Sequence, residues 1–325
     1  MFFSYNAPSV RYTGRYAKYG DAMVATATGS TAEIAFVGNM ITLHFDLDGN
    51  EHPLPHLWLS LDGGAKFEVP LDRYLRVECE HGAHTLTVIH KGAKETQARF
   101  FHPLCGKISF LGYEAEGEGA LAPDNRKTIE FVGDSITEGV LIDEFYRVAG
   151  WEDDQDNRPY QDDVTATYAY LTAKALGLRD LHMGYGAVGV TRAGCGAVPK
   201  AAEAYPYCFE GAPVTYDHPD YILINHGAND RAAGVEAYTT EYYELLKIIR
   251  KTHPSAKIFS LSAFVGFAPE ELGETVARFN REFHDDVVFI SSKGWIPADP
   301  LHPYRDGHRI VADHLIEALR PYNKD

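Results

Sequence analysis

The sequence predicts an all-β sandwich of the jelly-roll type, followed by an α/β domain built on a parallel sheet. Residues from about 1 to 120 alternate apolar and polar side chains in short runs with almost no helical period. From residue 126 onward, apolar strands alternate with helical stretches, which is typical of a parallel sheet with helices on both faces. A segment rich in Gly, Glu and Pro, residues 115–126, lies between the two patterns. We therefore predict domains over residues 1–120 and 126–325.

Apolar residues at every second position define the strands of the first domain. Such alternation places one face of each strand in a core and leaves the other face in solvent. Asp62-Gly63-Gly64 interrupts the pattern and is predicted to be a tight turn between two strands. The apolar residues that mark the predicted strands on this basis are Ile41, Leu43, Phe45, Leu47, Leu57, Leu59, Leu61, Phe67, Val69, Leu86, Val88, Ile108 and Phe110.

The second domain is predicted to contain five parallel strands and four main helices. The strands are expected at residues 128–132, 181–185, 221–225, 258–262 and 287–291. The helices are expected at residues 166–178, 235–251, 269–283 and 306–319. Two long irregular stretches, residues 141–163 and 194–220, follow the first and second strands, at the sheet edge where such folds bind ligands.

Composition argues against several classes of partner. The formal net charge is -16 and no long Lys/Arg run is present, which argues against nucleic acid and anionic membranes. The first residues show no secretory signal, and no apolar run approaches the roughly 18 residues of a membrane helix.

The 4 cysteines lack C-x-x-C spacing, so we expect free thiols in a cytoplasmic protein. His81 and His84 lie by a predicted β-turn, so we expect no metal site there. We also expect no other cofactor. A homo-oligomer is possible, because tyrosines in the long loops suggest an interface.

A serine at the end of the first strand of the second domain is the main candidate for chemistry. The strand runs into Gly133-Asp134-Ser135, where the pattern changes from strand to helix. A serine at such a turn can act as a nucleophile, and its backbone N–H can help to bind an oxyanion. Gly-Asp-Ser tripeptides also serve as turns and helix caps, so the motif alone leaves both interpretations open. We expect Asp134 chiefly to fix the turn that presents Ser135.

Two further motifs follow the second and third strands. The first is Tyr185-Gly186-Ala187-Val188-Gly189, in which glycine lets a substrate approach the backbone closely. Gly189 is our candidate oxyanion donor, and Gly186 is the alternative. In the second motif, the amide of Asn229 is expected to donate to developing negative charge, and Asp230 is expected to cap a helix. Each motif also fits a plain turn.

The fourth motif, Asp299-Pro300-Leu301-His302, precedes the last predicted helix. A carboxylate in the same loop can hold an imidazole in the tautomer that accepts a proton from serine. Alone, the Asp-x-x-His pattern also fits a surface turn. His308 and His314 are expected on the final helix, as packing or solvent-facing residues.

The order of the four motifs resembles that of the SGNH hydrolases, also called the GDSL esterase/lipase superfamily. The matching blocks are Gly133-Asp134-Ser135, Gly189, Gly227-Ala228-Asn229-Asp230 and Asp299 to His302, over residues 126–325. The resemblance implies a flavodoxin-like three-layer α/β/α domain. It also implies that Ser135 is the nucleophile, His302 the base and Asp299 the acid that orients it. The oxyanion hole would consist of Ser135, Gly189 and Asn229.

The pattern of the first domain indicates one particular family within this superfamily. A jelly roll before such a domain, with a strand at residues 82–88 and a linker ending at residues 126–130, is similar to carbohydrate esterase family 2. That family removes acetyl groups from plant polysaccharides such as xylan and mannan. The resemblance implies a serine esterase that removes O-acetyl groups through an acyl-serine intermediate. Some members lack the acidic residue, so Asp299 implies a full triad. The missing secretion signal favours acetylated xylo- or manno-oligosaccharides over intact polymer.

The substrate contacts and two alternative functions are open at this point. Aromatic side chains in the loops can stack on sugar rings or simply pack in the core. We take Asp134, Trp151, Tyr160 and Trp295 as candidate substrate-binding residues. The first alternative function is a short-chain lipase or thioesterase acting on non-carbohydrate acyl esters, although no apolar lid is visible. The second is a carbohydrate-binding protein with a dormant hydrolase domain.

Overall fold

The computed structural model describes residues 1–143, 158–215 and 218–323. Within these ranges, an antiparallel sheet of 10 strands comes first, and a parallel sheet of 5 strands with helices follows. The predicted fold class, a jelly-roll β domain before a three-layer α/β/α domain, is confirmed. The domain boundaries stay a prediction. In the structure the last strand of the first sheet ends at Glu118, and the first strand of the second begins at Thr128.

The first sheet is antiparallel throughout. Its strands are β1 (Phe2–Ser4), β2 (Val10–Thr13), β3 (Tyr16–Tyr19), β4 (Ala22–Ala25), β5 (Thr31–Phe45), β6 (His56–Leu61), β7 (Phe67–Pro70), β8 (Tyr74–Gly92), β9 (Ile108–Glu114) and β10 (Gly117–Glu118). Their order is β3-β4-β9-β5-β8-β6-β7, with β1 paired to β9 and with β2 and β10 paired to β5. Because β5 changes partner along its length, the sheet folds over and its inward side chains form one apolar core.

A register shift after Gly38 divides the long strand β5. Before the shift, the core-facing residues stand at even positions, as Ile34 and Phe36 do. After it they stand at odd positions, as Ile41 and Leu43 do. An irregularity of this kind changes which residues face the core without ending the strand. The predicted core face at residues 41–45 is therefore correct for the second half of β5.

The second part of the chain alternates strands and helices. The remaining strands are β11 (Thr128–Gly133), β12 (Arg179–Gly184), β13 (Tyr207–Phe209), β14 (Ala212–Pro213), β15 (Tyr221–Asn225), β16 (Lys257–Leu261) and β17 (Val288–Ile290). The helices are α1 (Ser135–Glu138), α2 (Arg158–Gln161), α3 (Tyr168–Ala175), α4 (Ala201–Ala204), α5 (Val235–Thr252), α6 (Pro269–Phe283) and α7 (Arg305–Leu319). All five predicted strands and all four predicted helices are present.

The parallel sheet has the order β12-β11-β15-β16-β17, and β13 and β14 form a separate hairpin. This order is that of flavodoxin-like folds, as predicted. Successive residues of one strand face opposite layers. Phe131 and Leu223 pack with α3 and α7, whereas Val132 and Ile224 pack with α5 and α6. The carboxyl ends of β11, β12 and β15 therefore meet at one edge, where the predicted motifs begin. Within the described ranges, no helix is long and apolar enough to cross a lipid bilayer.

Two buried ion pairs join the antiparallel sheet to the α/β part. Arg15 contacts Glu130 of β11 at 2.9 Å, and Arg99 contacts Glu138 of α1. All four side chains have 0% exposure. Arg15 also donates to the carbonyl oxygens of Tyr205 and Tyr207. The two parts of the chain are therefore connected by charged groups that are excluded from solvent.

Candidate active site

The predicted nucleophile lies at the junction of β11 and α1. β11 ends at Gly133, and Ser135 is the first residue of α1, a helix of one turn. Glycine is required at position 133, because a Cβ there would lie 2.1 Å from Oγ1 of Thr137 and 3.0 Å from the carbonyl oxygen of Asn225. This close approach allows the sharp turn that places Ser135 at the carboxyl edge of the sheet, where ligands bind in such folds.

The predicted base lies beside this serine. His302 belongs to the loop between β17 and α7, and its Nε2 lies 2.8 Å from the Oγ of Ser135. An imidazole at this distance can accept the hydroxyl proton. The two residues are 167 positions apart in the chain. Their contact is the central feature of the site, and their catalytic roles stay predictions.

Asp299 is in the same loop as His302 but does not contact it. Its side chain is exposed, and among the described residues no hydrogen bond or ion pair joins it to the imidazole. It is nevertheless the only acidic residue between positions 291 and 304. The orienting role of Asp299 therefore stays a prediction.

The carboxylate of Asp134 connects the nucleophile turn to the third motif. Its Oδ1 accepts from the N–H of Ile136 at 3.0 Å and caps α1, and its Oδ2 accepts from Nδ2 of Asn229 at 3.1 Å. Burial raises the pKa of Asp134 to about 7; the charge of Asp230 adds to the rise, and the N–H of Ile136 opposes it. Both oxygens are engaged within the protein, which favours the expected turn-fixing role over substrate binding.

The amide of Asn229 is held by two acceptors. Nδ2 donates to Oδ2 of Asp134 and to the carbonyl oxygen of Val188, each at 3.1 Å. The first acceptor directly precedes Ser135, and the second belongs to the glycine motif after β12. These two contacts link the third motif, which contains Asn229, to the first and second motifs. An oxyanion bound here would share an amide proton with one of these acceptors.

The two glycines considered as oxyanion donors have different surroundings. The N–H of Gly189 donates to the carbonyl oxygen of Arg192 at 3.1 Å. The N–H of Gly186 lowers the pKa of Glu138 against the larger effect of its burial. The N–H of Gly186 thus acts on a buried carboxyl group, whereas that of Gly189 donates to a neutral carbonyl oxygen. This difference favours Gly189 of the two, and its role as oxyanion donor stays a prediction.

Asp230 is not the helix cap that the sequence predicts. It precedes the short helical turn Arg231–Ala233, but its side chain makes no capping hydrogen bond. Instead its Oδ1 accepts from both the N–H and the Oγ1 of Thr191, at 2.8 and 2.6 Å. The prediction was wrong because Thr191, 39 positions earlier, supplies two donors to the same oxygen. The contact ties the loop of Gly189 to the third motif.

The aromatic residues proposed for substrate binding differ in how far the structure supports that role. Trp151 lies outside the described residues. Tyr160 is 48% exposed, and its ring meets that of His56 edge-on at 5.8 Å. Trp295 stacks on His314 at 4.7 Å and packs against the core under α3 and α7. Tyr160 keeps surface available for a ligand, whereas the surroundings of Trp295 favour a packing role.

Two residues that shape the site were missed at the level of sequence. Thr191 holds the second motif to the third, and Arg99 pairs with Glu138 in the helix of the nucleophile. Each lies 39 positions from its partner, so no local pattern links them. The position of Thr191, two residues after Gly189, was the one available signal. His308, as expected, is a packing residue, because its buried Nδ1 accepts from the N–H of Tyr168.

One family of sequences matches this part of the chain. The sequence model of the GDSL-like Lipase/Acylhydrolase family matches residues 131–310. The matched range includes the turn of Ser135, the loop of Gly189, Asn229 and the loop of His302. A comparison with curated protein sequences gave no match.

Several solved structures share the fold over nearly the full chain. A family two carbohydrate esterase from Cellvibrio japonicus has a TM-score of 0.79 at 22% identity, covering 99% of this chain and 98% of that chain. A family two carbohydrate esterase from Clostridium thermocellum, in complex with cellohexaose, has a TM-score of 0.74 at 23% identity, covering 96% and 98%. An acetyl xylan esterase, Est2A from the rumen bacterium Butyrivibrio proteoclasticus, has a TM-score of 0.74 at 21% identity, covering 99% of each chain. The resemblance to carbohydrate esterase family 2 is confirmed in the fold.

Proposed function

The chain belongs to the GDSL-like lipase/acylhydrolase family, and we propose that it is a serine esterase that removes O-acetyl groups from carbohydrates. The observation that carries the proposal is the 2.8 Å contact between Oγ of Ser135 and Nε2 of His302 at the carboxyl edge of the parallel sheet. A serine paired with an imidazole at a strand–helix turn suits acyl transfer through a covalent intermediate.

The reaction would proceed in two halves. Oγ of Ser135 attacks the acyl carbonyl carbon while Nε2 of His302 takes the hydroxyl proton. The imidazolium then gives this proton to the leaving sugar oxygen, and an acyl-serine remains. Water then attacks the acyl-serine while Nε2 takes one of its protons. The imidazolium returns this proton to Oγ of Ser135 as acetic acid leaves and ionises to acetate.

The oxyanion would be stabilised by the N–H of Ser135, the amide of Asn229 and the N–H of Gly189. The N–H of Ser135 donates to no acceptor among the described residues, and it stands in the first turn of α1, where backbone N–H groups point outward. The amide of Asn229 is fixed in place by Asp134 and Val188. Donors held rigidly before the reaction are those that stabilise developing charge best.

Asp299 completes the proposed triad, because it is the only carboxylate in the loop of His302. If it orients the imidazole in the reacting enzyme, Asp299→Ala lowers kcat by about 10³–10⁴-fold, as loss of the acid does in serine hydrolases. The variant is assayed beside His302→Ala. A loss below about tenfold would remove Asp299 from the triad and leave a Ser135–His302 pair.

The carbohydrate part of the proposal draws support from the named structures and from one exposed ring. Carbohydrate esterases and an acetyl xylan esterase share the fold of this chain from end to end. Tyr160 presents an exposed ring of the kind that stacks on sugars. Acetylated xylo- or manno-oligosaccharides are the substrates that we propose first. The cytoplasmic location expected from the sequence stays a prediction.

The direct test is hydrolysis of 4-nitrophenyl acetate, followed by acetate release from acetylated xylo-, manno- and chito-oligosaccharides. We expect the wild-type protein to release acetate and Ser135→Ala to have no activity above background. The matched control is Ser262→Ala, which alters a serine just beyond β16 at the same sheet edge; it should keep the activity.

Each alternative function has its own outcome in this test. A rate that rises from acetyl to octanoyl esters would indicate a lipase or thioesterase. Binding of oligosaccharides without fluorophosphonate labelling of Ser135 would indicate a dormant domain. Absence of hydrolysis of any short acyl ester would contradict the proposal.

A further inference from the structure

The nucleophile stands on a helix that cannot be stable by its own hydrogen bonds. α1 has four residues, Ser135–Glu138, and a single helical turn is unfavourable without tertiary contacts. Asp134 caps it, the side chain of Ile136 packs in the core, and Oγ1 of Thr137 meets the hydroxyl of Tyr168 at 2.7 Å. The direction of the Ser135 side chain therefore depends on what holds each residue of this turn.

The last residue of the turn is held by the antiparallel sheet. The carboxylate of Glu138 accepts from Nη1 of Arg99, and its carbonyl oxygen accepts from Oγ1 of Thr28 at 3.1 Å. Arg99 lies in the loop between β8 and β9, and Thr28 precedes β5. Both contacts thus reach α1 from the first part of the chain.

Arg99 contacts the glycine motif as well. Its guanidinium lies over the ring of Tyr185, 5.2 Å from the centroid, and Tyr185 directly precedes Gly186. Gly184, two residues before Gly186, lies close to the backbone of Glu138 in turn. One buried arginine therefore lies against both the nucleophile turn and the start of the loop proposed to bind the oxyanion.

The ion pair between Arg99 and Glu138 is fully buried. Burial alone would lower the pKa of Arg99, but the charge of Glu138 and its hydrogen bond raise the value overall. Burial raises the pKa of Glu138, and the charge of Arg99 opposes that rise. We take the pair as ionised, because arginine keeps its proton in proteins and would otherwise lack a counter-charge here.

The loop that carries Arg99 fits against the α/β part with little free space. A Cβ on Gly196 would lie 1.9 Å from the carbonyl oxygen of Gln97, and a Cβ on Gly184 would lie 2.5 Å from the backbone nitrogen of Glu138. The first approach holds the Arg99 loop against the turn at Cys195–Ala197, and the second holds the end of β12 against α1. A displacement at Arg99 would reach α1 through its ion pair with Glu138.

We propose that Arg99, contributed by the antiparallel sheet, is a positioning residue that sets the orientation of Ser135 through Glu138. The inference rests on the proposed function, since it requires Ser135 to be the nucleophile. It assigns to the first part of the chain an indirect role in the reaction, beyond covering the second part. Arg99 touches neither Ser135 nor the acyl group, so its effect must appear in the rate of acylation.

The chain supplies its own matched control. Arg15 and Glu130 form a second ion pair between the same two parts, also with 0% exposure of both side chains. Glu130 is a residue of β11, not of the nucleophile turn. Replacing either arginine removes the arginine partner of a buried glutamate and destabilises the fold. Only replacement of Arg99 should change the geometry at Ser135.

The experiment compares Arg99→Met, Arg99→Lys, Glu138→Gln and the double variant Arg99→Met/Glu138→Gln with Arg15→Met. For each we measure the Tm, the second-order rate of fluorophosphonate labelling at Ser135, and kcat and KM for 4-nitrophenyl acetate. Rates are taken well below the lowest Tm. Arg99→Lys retains a charge that can make the single hydrogen bond that Nη1 makes. The double variant removes both charges, so it stays available if Arg99→Met does not fold.

We expect Arg99→Met to lower the labelling rate and kcat by about 10–100-fold, the range that a small misplacement of a reacting group produces, with KM nearly unchanged. Arg99→Lys should recover most of this loss, and the double variant should lose no more than the larger single loss. Arg15→Met should lower the Tm but label at nearly the wild-type rate.

Two results would overturn the inference. One is wild-type labelling by Arg99→Met or by the folded double variant. The other is an equal loss of labelling in Arg15→Met, which would indicate a general effect of instability. A wild-type protein that neither labels nor hydrolyses esters would instead contradict the proposed function.

Discussion

At the scale of one residue, the proposed oxyanion donor Asn229 can be tested by a single substitution. Its amide is held by Asp134 and Val188, so it is in place before a substrate arrives. We expect Asn229→Ala to lower kcat for 4-nitrophenyl acetate by about 10²–10³-fold, since loss of one oxyanion donor costs about 2.7–4 kcal/mol of barrier. KM should change little, because the donor acts on charge that develops in the transition state.

A second asparagine controls for the structural part of this effect. Asn280 in α6 also bridges backbone groups: its side chain accepts from the N–H and donates to the carbonyl of Val287, both at 2.9 Å. Asn280→Ala should lower the Tm and leave kcat unchanged. If the two variants lose activity equally, Asn229 is a structural residue and not an oxyanion donor.

The residues of the four motifs could be predicted from the sequence because their chemical types and order are informative. Ser135 and His302 meet in the structure as that order implies. The roles of Asp230 and Thr191 could not be predicted. A carboxylate beside a helix start suits a cap, and only the folded chain shows that a threonine from another loop supplies better donors. For Asp299 the sequence and the structure point in different directions. Its position in the sequence fits a catalytic triad, whereas its side chain is exposed in the structure.

At the scale of elements, helix α3 offers two threonines with opposite expectations. Thr167 caps α3, where its Oγ1 accepts from the N–H of Tyr170 at 3.2 Å. Thr172 is 0% exposed, and its Oγ1 has no hydrogen-bond partner among the residues with described coordinates. Thr167→Ala should therefore lower the free energy of unfolding by about 1 kcal/mol. Thr172→Val should raise it by up to about 1 kcal/mol, because it removes a buried hydroxyl without a partner.

Urea denaturation measures both changes. The midpoints should move in opposite directions while the slope of the free energy against urea stays the same, which shows that the stability changed and not the compactness of the unfolded state. A lower midpoint for Thr172→Val would mean that its hydroxyl contributes a hydrogen bond to the folded protein.

Helices with a clear apolar face were predicted well, and the reasons are local. The helix predicted over residues 269–283 has the same bounds in α6, since Pro269 suits the first turn and apolar residues recur on one face. The helix predicted over residues 166–178 begins later, at Tyr168, because Thr167 caps it. The register shift in β5 was not predicted. Each half of the strand alternates apolar and polar residues, and the shift itself is seen in the pairing of β5 with β8.

At the scale of the whole molecule, the sequence predicts two parts but not how they depend on each other. Change of period and a linker are patterns within the chain, so they can be recognised. The ion pairs Arg15–Glu130 and Arg99–Glu138 have no pattern, since an isolated arginine or glutamate is usually on the surface. The antiparallel sheet therefore cannot be treated as a detachable module. Its removal would take away the arginines that pair with Glu130 and Glu138.

The response of the whole fold to pH follows from its buried histidines. Burial lowers the pKa of His90 and of His308 to about 3, and that of His226 to about 4. In the unfolded chain their pKa returns to about 6.5, so the unfolded state binds more protons between about pH 4 and 6.5. The free energy of unfolding must therefore fall as the pH falls through this window. Each histidine contributes roughly 2 kcal/mol of loss at pH 5.

Asp134 has the opposite sign, because its folded pKa of about 7 lies above its unfolded value. The folded state takes up this proton first, which stabilises it as the pH falls from about 7 toward 4. Protonation of Asp134 therefore offsets the loss of stability caused by about one of the three histidines. We therefore expect a net decrease of the Tm from pH 7 to pH 5, measured by calorimetry or circular dichroism.

A single substitution separates the histidine contribution from the rest. In His308→Asn the amide oxygen can replace Nδ1 as acceptor for the N–H of Tyr168, and the side chain no longer titrates. The variant should have a lower Tm at pH 7, because the ring that stacks on Tyr168 is lost, and a smaller decrease between pH 7 and pH 5. His81→Gln, at a side chain that is 67% exposed, should keep the wild-type pH dependence. An unchanged pH dependence in His308→Asn would mean that His308 is already charged in the folded protein, which its burial and the nearby charge of Arg305 oppose.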